Sequence, residues 1–159
     1  MKASKECLKM LAHHEGVRQK PYRCPAGLWT VGVGHLIGDG HSLPDSWNRT
    51  FSLEEVYAIL AKDVDRFERG VERLITVPLK QCEMDALVSF SFNLGLGCLQ
   101  RSSIRQKLNR GDKEEAILSL LKYNKAGGKV LKGLDNRRKD EARLFFKETG
   151  LPESIAELL

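Results

Sequence analysis

No segment of this chain is apolar enough to cross a bilayer. The two longest stretches without Asp, Glu, Lys or Arg run from Cys24 to Gly38 and from Ala86 to Gln100, and both fall short of the roughly 20 apolar residues that a span requires. No export signal is expected either, because Met1-Lys2-Ala3-Ser4-Lys5-Glu6 leads straight into charged, amphipathic sequence with no apolar h-region. Cysteine is scarce: Cys7, Cys24, Cys82 and Cys98 are scattered with no C-x-x-C pair, so reduced thiols are expected rather than a disulfide framework. Histidine is equally sparse. His13, His14, His35 and His41 form neither H-E-x-x-H nor finger spacing, and no metal site is expected. Internal repeats and low-complexity tracts are absent.

What is present fits one compact domain. The 159 residues are 42% hydrophobic and 30% charged, enough to bury most of the apolar surface in a single core. Lys and Arg number 26 against 21 Asp and Glu, a net charge of +5 that favours an anionic partner without choosing one. Nucleic acid is the weakest choice. Basic and acidic residues alternate, as in Lys62-Asp63-Val64-Asp65-Arg66, where a nucleic-acid surface would need a basic stripe with interleaved aromatics.

The pattern predicts an α+β fold. Cys7, Leu8, Met10, Leu11 and Ala12 recur at helical spacing and Gly16 stops that helix at Glu15. From Lys20 to His41 the chain turns to Pro, Gly and β-branched residues, read as a hairpin or small three-stranded sheet. Ser52-Leu53-Glu54-Glu55 is a capping box that opens a long helix to Leu74. Gln81 to Asn93 is apolar almost all round, as in a central buried helix, with Gly95 and Gly97 ending it. Further helices are expected from Ser103 to Asn109, from Asp112 (with Glu115 as a second capping box) to Lys122, from Leu134 to Glu148, and for a turn or two after Pro152. Asn124 to Lys129 reads as a flexible basic loop. The expected organisation is therefore one domain over 1–159. It has a sheet-bearing N-terminal lobe near 15–55, a connecting helix near 53–74, and a helical lobe near 75–159 on which helix 1 packs. A site is expected in the cleft between the lobes.

Two places could carry chemistry. Glu15 ends its helix, at the negative end of the macrodipole, a position that suits a proton donor. If Pro25 to Gly27 form the hairpin loop, Cys24 faces Leu28 and Tyr22 faces Thr30, so that Cys24 and Thr30 project from one side. A shift of one residue would part them.

The spacing Glu15, eight residues, Cys24, five residues, Thr30 resembles the Glu-x8-Asp/Cys-x5-Thr triad of the phage-type lysozymes, the endolysins of glycoside hydrolase family 24. His14-Glu15-Gly16 and Thr30-Val31-Gly32-Val33-Gly34-His35 are similar to that family's E-G and T-x-G-x-G-H motifs. Phe90-Ser91-Phe92-Asn93-Leu94-Gly95 resembles its F-x-F-N-x-G helix, and Gly133 to Phe145 its G-L-x-x-R-R-x-x-E-x-x-L-F/W signature. The motifs lie in the family's order over residues 14–145.

The resemblance implies a lysozyme-like fold and hydrolysis of the β-1,4 bond between N-acetylmuramic acid and N-acetylglucosamine in peptidoglycan, causing host lysis, with no cofactor or metal. It implies Glu15 as general acid and Thr30 as the residue that positions water or substrate. Cys24 takes a place where many relatives carry Asp, and acts there as base, nucleophile or water-orienting thiol. Leu36, Phe92 and Asn93 fall on cleft positions that would hold the sugar, Arg137 on a residue that orients the acid, and His35 on a structural partner. A monomer is expected, held in the host cytoplasm until a separate holin releases it to the periplasm and wall. The competing enzyme reading is a lytic transglycosylase, which uses one acidic glutamate and closes an anhydro sugar without water. The apolar C-terminal residues Leu144, Phe145, Leu151, Ile155, Leu158 and Leu159 could contact a membrane, but docking on the core is favoured.

Overall fold

The computed structural model describes residues 1–159 as two compact units, one of Lys5–Asp65 and one of Met1–Ser4 with Arg66–Leu159. No helix is long and apolar enough to cross a membrane.

In the Lys5–Asp65 unit, helix α1 (Lys5–Glu15) buries Cys7, Leu11 and Ala12, the stripe its spacing predicts. Gly16 ends it with φ +86° and its amide bonded to the Ala12 carbonyl at 2.9 Å, a backbone conformation that glycine adopts without strain. Three antiparallel strands follow in order, β1 (Arg18–Arg23), β2 (Trp29–Gly32) and β3 (His35–Leu36). The β1–β2 ladder pairs Tyr22 with Thr30 and Arg23 with Trp29, then becomes irregular before Arg18 meets Gly32. Pro21, which has no amide hydrogen to give, lies inside that irregular stretch.

A 3₁₀ turn over Asp45–Trp47, absent from the sequence expectation, leads to Phe51, whose amide bonds the Gln19 carbonyl at 2.8 Å. Ser52 and Glu55 then form the expected capping box. The Ser52 amide meets Glu55 Oε1 at 3.0 Å and the Glu55 amide meets Ser52 Oγ at 3.1 Å. Helix α2 (Leu53–Leu74) starts there and contains the boundary between the units. Val56, Leu60, Val64, Phe67, Val71 and Leu74 are its buried stripe, each fully buried aliphatic contributing about 1.5–3 kcal/mol.

The other unit is helical. Helix α3 (Gln81–Leu94) is buried from Cys82 to Ser91 and packs against α7 (Lys132–Phe145). Around them lie α4 (Leu96–Arg101), α5 (Ser103–Asn109), α6 (Lys113–Leu120) and α8 (Glu153–Ala156), with Leu99, Ile104, Leu108, Ile117, Leu120 and Ile155 fully buried. The N-terminal residues are strapped onto this unit. Ser4 donates its amide to Asp85 Oδ1 at 3.0 Å, Gln81 Nε2 meets the Lys2 carbonyl at 2.7 Å, and the Met1 amino group pairs with Glu72.

Four details depart from expectation. Gly97 does not end a helix but lies within α4. Asp112 makes no side-chain cap and instead pairs with Arg110 at 3.4 Å, and α6 ends at Leu120. Asn124 to Lys129 is no flexible loop. Strands β4 (Lys125–Ala126) and β5 (Lys129–Val130) form a hairpin there, with Gly127 and Gly128 at φ +59° and +78°, the two left-handed positions that a tight two-residue turn demands. Finally, α7 begins two residues earlier than expected and stops at Phe145.

Candidate active site

The β1–β2 hairpin places Cys24 and Thr30 together. Its ladder continues past Arg23, the Cys24 amide meeting the Leu28 carbonyl at 2.9 Å, and the Gly27 amide closes the turn on the Cys24 carbonyl at 2.7 Å. This is the register that sets Tyr22 against Thr30, so Cys24 and Thr30 share a face.

The surroundings of Cys24 favour its anion. Hydrogen bonding from the Leu28 backbone lowers its pKa below the ordinary thiol value, opposed in part by desolvation, and the Ala26 backbone, the Thr30 hydroxyl and Cys24's own backbone lower it further. Thr30 is buried and its Oγ1 donates to the Leu28 carbonyl at 2.9 Å. The other cysteines differ. Cys7 and Cys82 are buried, and desolvation pushes the Cys98 thiol up.

Glu15 is exposed at the last position of α1. His35 is clamped: its Nδ1 lies 2.7 Å from Asp63 Oδ2 and its ring stacks on Trp47 at 5.6 Å and 15°. Leu36, beside it on β3, is 42% exposed, an apolar surface open to a ligand.

In the helical unit the signature residues of α7 form a buried ionic cluster. Arg138 Nε is 2.7 Å from Glu141 Oε1, and Arg137 Nε is 3.4 Å from Glu141 Oε2. Ser89 Oγ donates to Glu141 Oε2 at 2.6 Å, and Arg137 donates to the Ser89 carbonyl at 3.2 Å. Burial pushes the Glu141 carboxyl up, against the pull of both guanidiniums and Ser89. Arg138 also donates to Asn93 Oδ1 at 2.7 Å. Arginine only donates, so the Asn93 oxygen must face it and the amide N–H₂ points elsewhere. Phe92, half-buried, tilts against Phe67 at 5.2 Å.

The family model described as Phage lysozyme matches residues 12–141. The chain belongs to the phage lysozyme family. It is 38% identical over 158 residues to an endolysin of Bacillus phage B103, covering 98% of this chain and 57% of that protein. Among solved structures, a P22 lysozyme variant superposes with a TM-score of 0.83 at 32% identity, over 92% of this chain and 99% of the other. The muramidase domain of SpmX from Asticaccaulis excentricus gives 0.77 at 30% identity, over 91% and 97%.

Two side chains of this arrangement, Asp63 and Glu141, were not among the residues expected from the sequence. Asp63, the partner of His35, sits 28 residues away and no local pattern announces it. Glu141 did leave a signal, since Arg137, Arg138 and Glu141 stand at i, i+1 and i+4 on one helix, the spacing of facing side chains.

Proposed function

We propose that the chain is an endolysin that hydrolyses the β-1,4 bond between N-acetylmuramic acid and N-acetylglucosamine in peptidoglycan. Membership of the phage lysozyme family over residues 12–141 supports this reading, and the Cys24–Thr30 pair on the hairpin is the observation that carries its chemistry. Glu15 gives its proton to the glycosidic oxygen as the bond to the anomeric carbon breaks through an oxocarbenium-like state. Cys24, as the thiolate its hydrogen bonds favour, takes a proton from the attacking water, whose oxygen joins that carbon. Thr30 holds Cys24 and the water in line.

Binding is assigned to three positions. Leu36 supplies an apolar wall, Phe92 an aromatic one, and the Asn93 N–H₂, oriented by Arg138, donates to an N-acetyl carbonyl. Arg137 orients the acid, and the buried cluster with Glu141 fixes Arg137. His35 holds the strand that follows Thr30. In this reading the chain acts as a monomer on the wall after a holin releases it from the cytoplasm.

The test is the release of reducing ends from purified peptidoglycan. The wild-type chain should release them and Glu15→Gln, with its fold intact, should not. Equal release by both would overturn the assignment of the acid.

A further inference from the structure

Positive charge is concentrated on one short stretch. Between Glu115 and Asp135 the chain has no acid and four lysines, Lys122, Lys125, Lys129 and Lys132, which make up most of the net +5. All four are exposed, on and beside the β4–β5 hairpin. Apolar side chains are exposed among them, Val130 at 55% and Leu131 at 45%.

The hairpin borders an open groove of about 640 Å³. Lys125 pairs with Val130 across the hairpin, and both line this groove with Lys122, Leu118, Leu121 and Leu158. Leu158 is itself 53% exposed, whereas Leu144, Phe145 and Ile155 are buried, so of these four the C-terminal segment contributes Leu158 here. Two acids also line the groove. Asp135 is neutralised by Lys139 at 3.0 Å and held by Asn124 at 2.9 Å, and Glu115 offsets one lysine. The face stays positive. Its turn glycines, Gly127 and Gly128, hold the hairpin in one shape without side chains that would keep a flat surface away.

We propose that this face docks on an anionic lipid bilayer, with lysines on the headgroups and Val130, Leu131 and Leu158 entering the interface. Lysines near an anionic leaflet add attraction one by one, and exposed apolar side chains beside them add the part that salt does not screen. A soluble polyanion would use the lysines and leave Val130 and Leu131 without a role. Single-stranded nucleic acid would need stacking aromatics, and Tyr123, the aromatic of this stretch, is half-buried with its ring edge-on to Phe90 at 5.3 Å.

The experiment is co-sedimentation with vesicles of phosphatidylcholine alone and of equimolar phosphatidylcholine and phosphatidylglycerol, at low and high salt. The wild-type chain should bind the mixed vesicles and not the neutral ones. Lys125→Glu with Lys129→Glu should weaken binding at least about tenfold, and Val130→Ser with Leu131→Ser should remove the binding that survives high salt. Should the reversed pair unfold early, Lys125→Gln with Lys129→Gln makes the same comparison. No preference for the mixed vesicles would overturn the proposal. So would inorganic polyphosphate bound as tightly as the vesicles with the serine pair behaving as wild type, which would assign the face to soluble polyanions.

Discussion

The Thr30 hydroxyl donates to the Leu28 carbonyl at 2.9 Å, on the hairpin face that Thr30 shares with Cys24, and it helps to lower the Cys24 pKa. The hydroxyl is thus one part of the reason, after the Leu28 and Ala26 backbone, that the Cys24 pKa lies below the ordinary thiol value.

Thr30→Val should therefore raise the Cys24 pKa while keeping the β-branched shape of the strand residue. Rates of iodoacetamide alkylation against pH, read by mass at Cys24, report it. The wild-type profile should turn up below the ordinary thiol range of about 8.5, and the valine profile should move to higher pH. Profiles that coincide would show that the hydroxyl does not reach the sulfur.

Substitutions at Cys24 separate the roles open to it. Cys24→Asp puts a permanent carboxylate on the same hairpin position and should keep activity, as the Asp-bearing members of the triad imply. Cys24→Ser keeps the size and removes the thiolate, and should lose roughly 10²–10⁴-fold in kcat, the usual worth of a general base. Serine turning over peptidoglycan at the parent rate would mean that the thiolate takes no proton from water.

Glu141 neutralises two buried arginines at once. Glu141→Gln leaves both charges without their anion, and breaking a buried pair in this way costs about 3–5 kcal/mol. Denaturant unfolding should show that loss, with a lower midpoint and an unchanged slope. A change within about 0.5 kcal/mol, the range of ordinary surface substitutions, would mean that the cluster relaxes or takes in water.

Acid stability should reflect Glu55. Arg49, bonded to it at 2.5 Å, and the Ser52 backbone hold its carboxyl down at about 2. A carboxyl depressed in the folded state stabilises the fold above its unfolded value of about 4.3 and loses that contribution as the pH falls toward the folded value. Melting temperature should thus decline between those limits in the wild-type chain. Glu55→Gln should melt lower at neutral pH, with the gap closing through the same window. A constant gap down to acid pH would remove Glu55 from the acid response.

The fold was legible in the sequence where local chemistry sets it. Gly16 after Glu15, the Ser52–Glu55 box and the apolar circumference of Gln81–Asn93 each mark an element the structure contains. The hairpin register was legible only on the condition that Pro25 to Gly27 form the loop, and the structure contains the pairing of Tyr22 with Thr30 that this condition implies. Tertiary facts were not. Glycine at position 97 lies within α4, whose Leu99 is fully buried, despite its helix penalty, and Asp112 turns to Arg110 rather than to the helix it precedes. The backbone bonds at Leu28 and Ala26 that lower the Cys24 pKa depend on the shape of the turn, which no side chain spells out. Asp63 met His35 only through the fold.

The most direct test of the central claim is mass spectrometry of soluble products from purified peptidoglycan digested in oxygen-18 water, with Glu15→Gln as the matched control. The wild-type chain should yield reducing muramic acid ends carrying the heavy oxygen, and the control none. Anhydro-muramic acid ends, or heavy-oxygen ends in equal yield from Glu15→Gln, would contradict it.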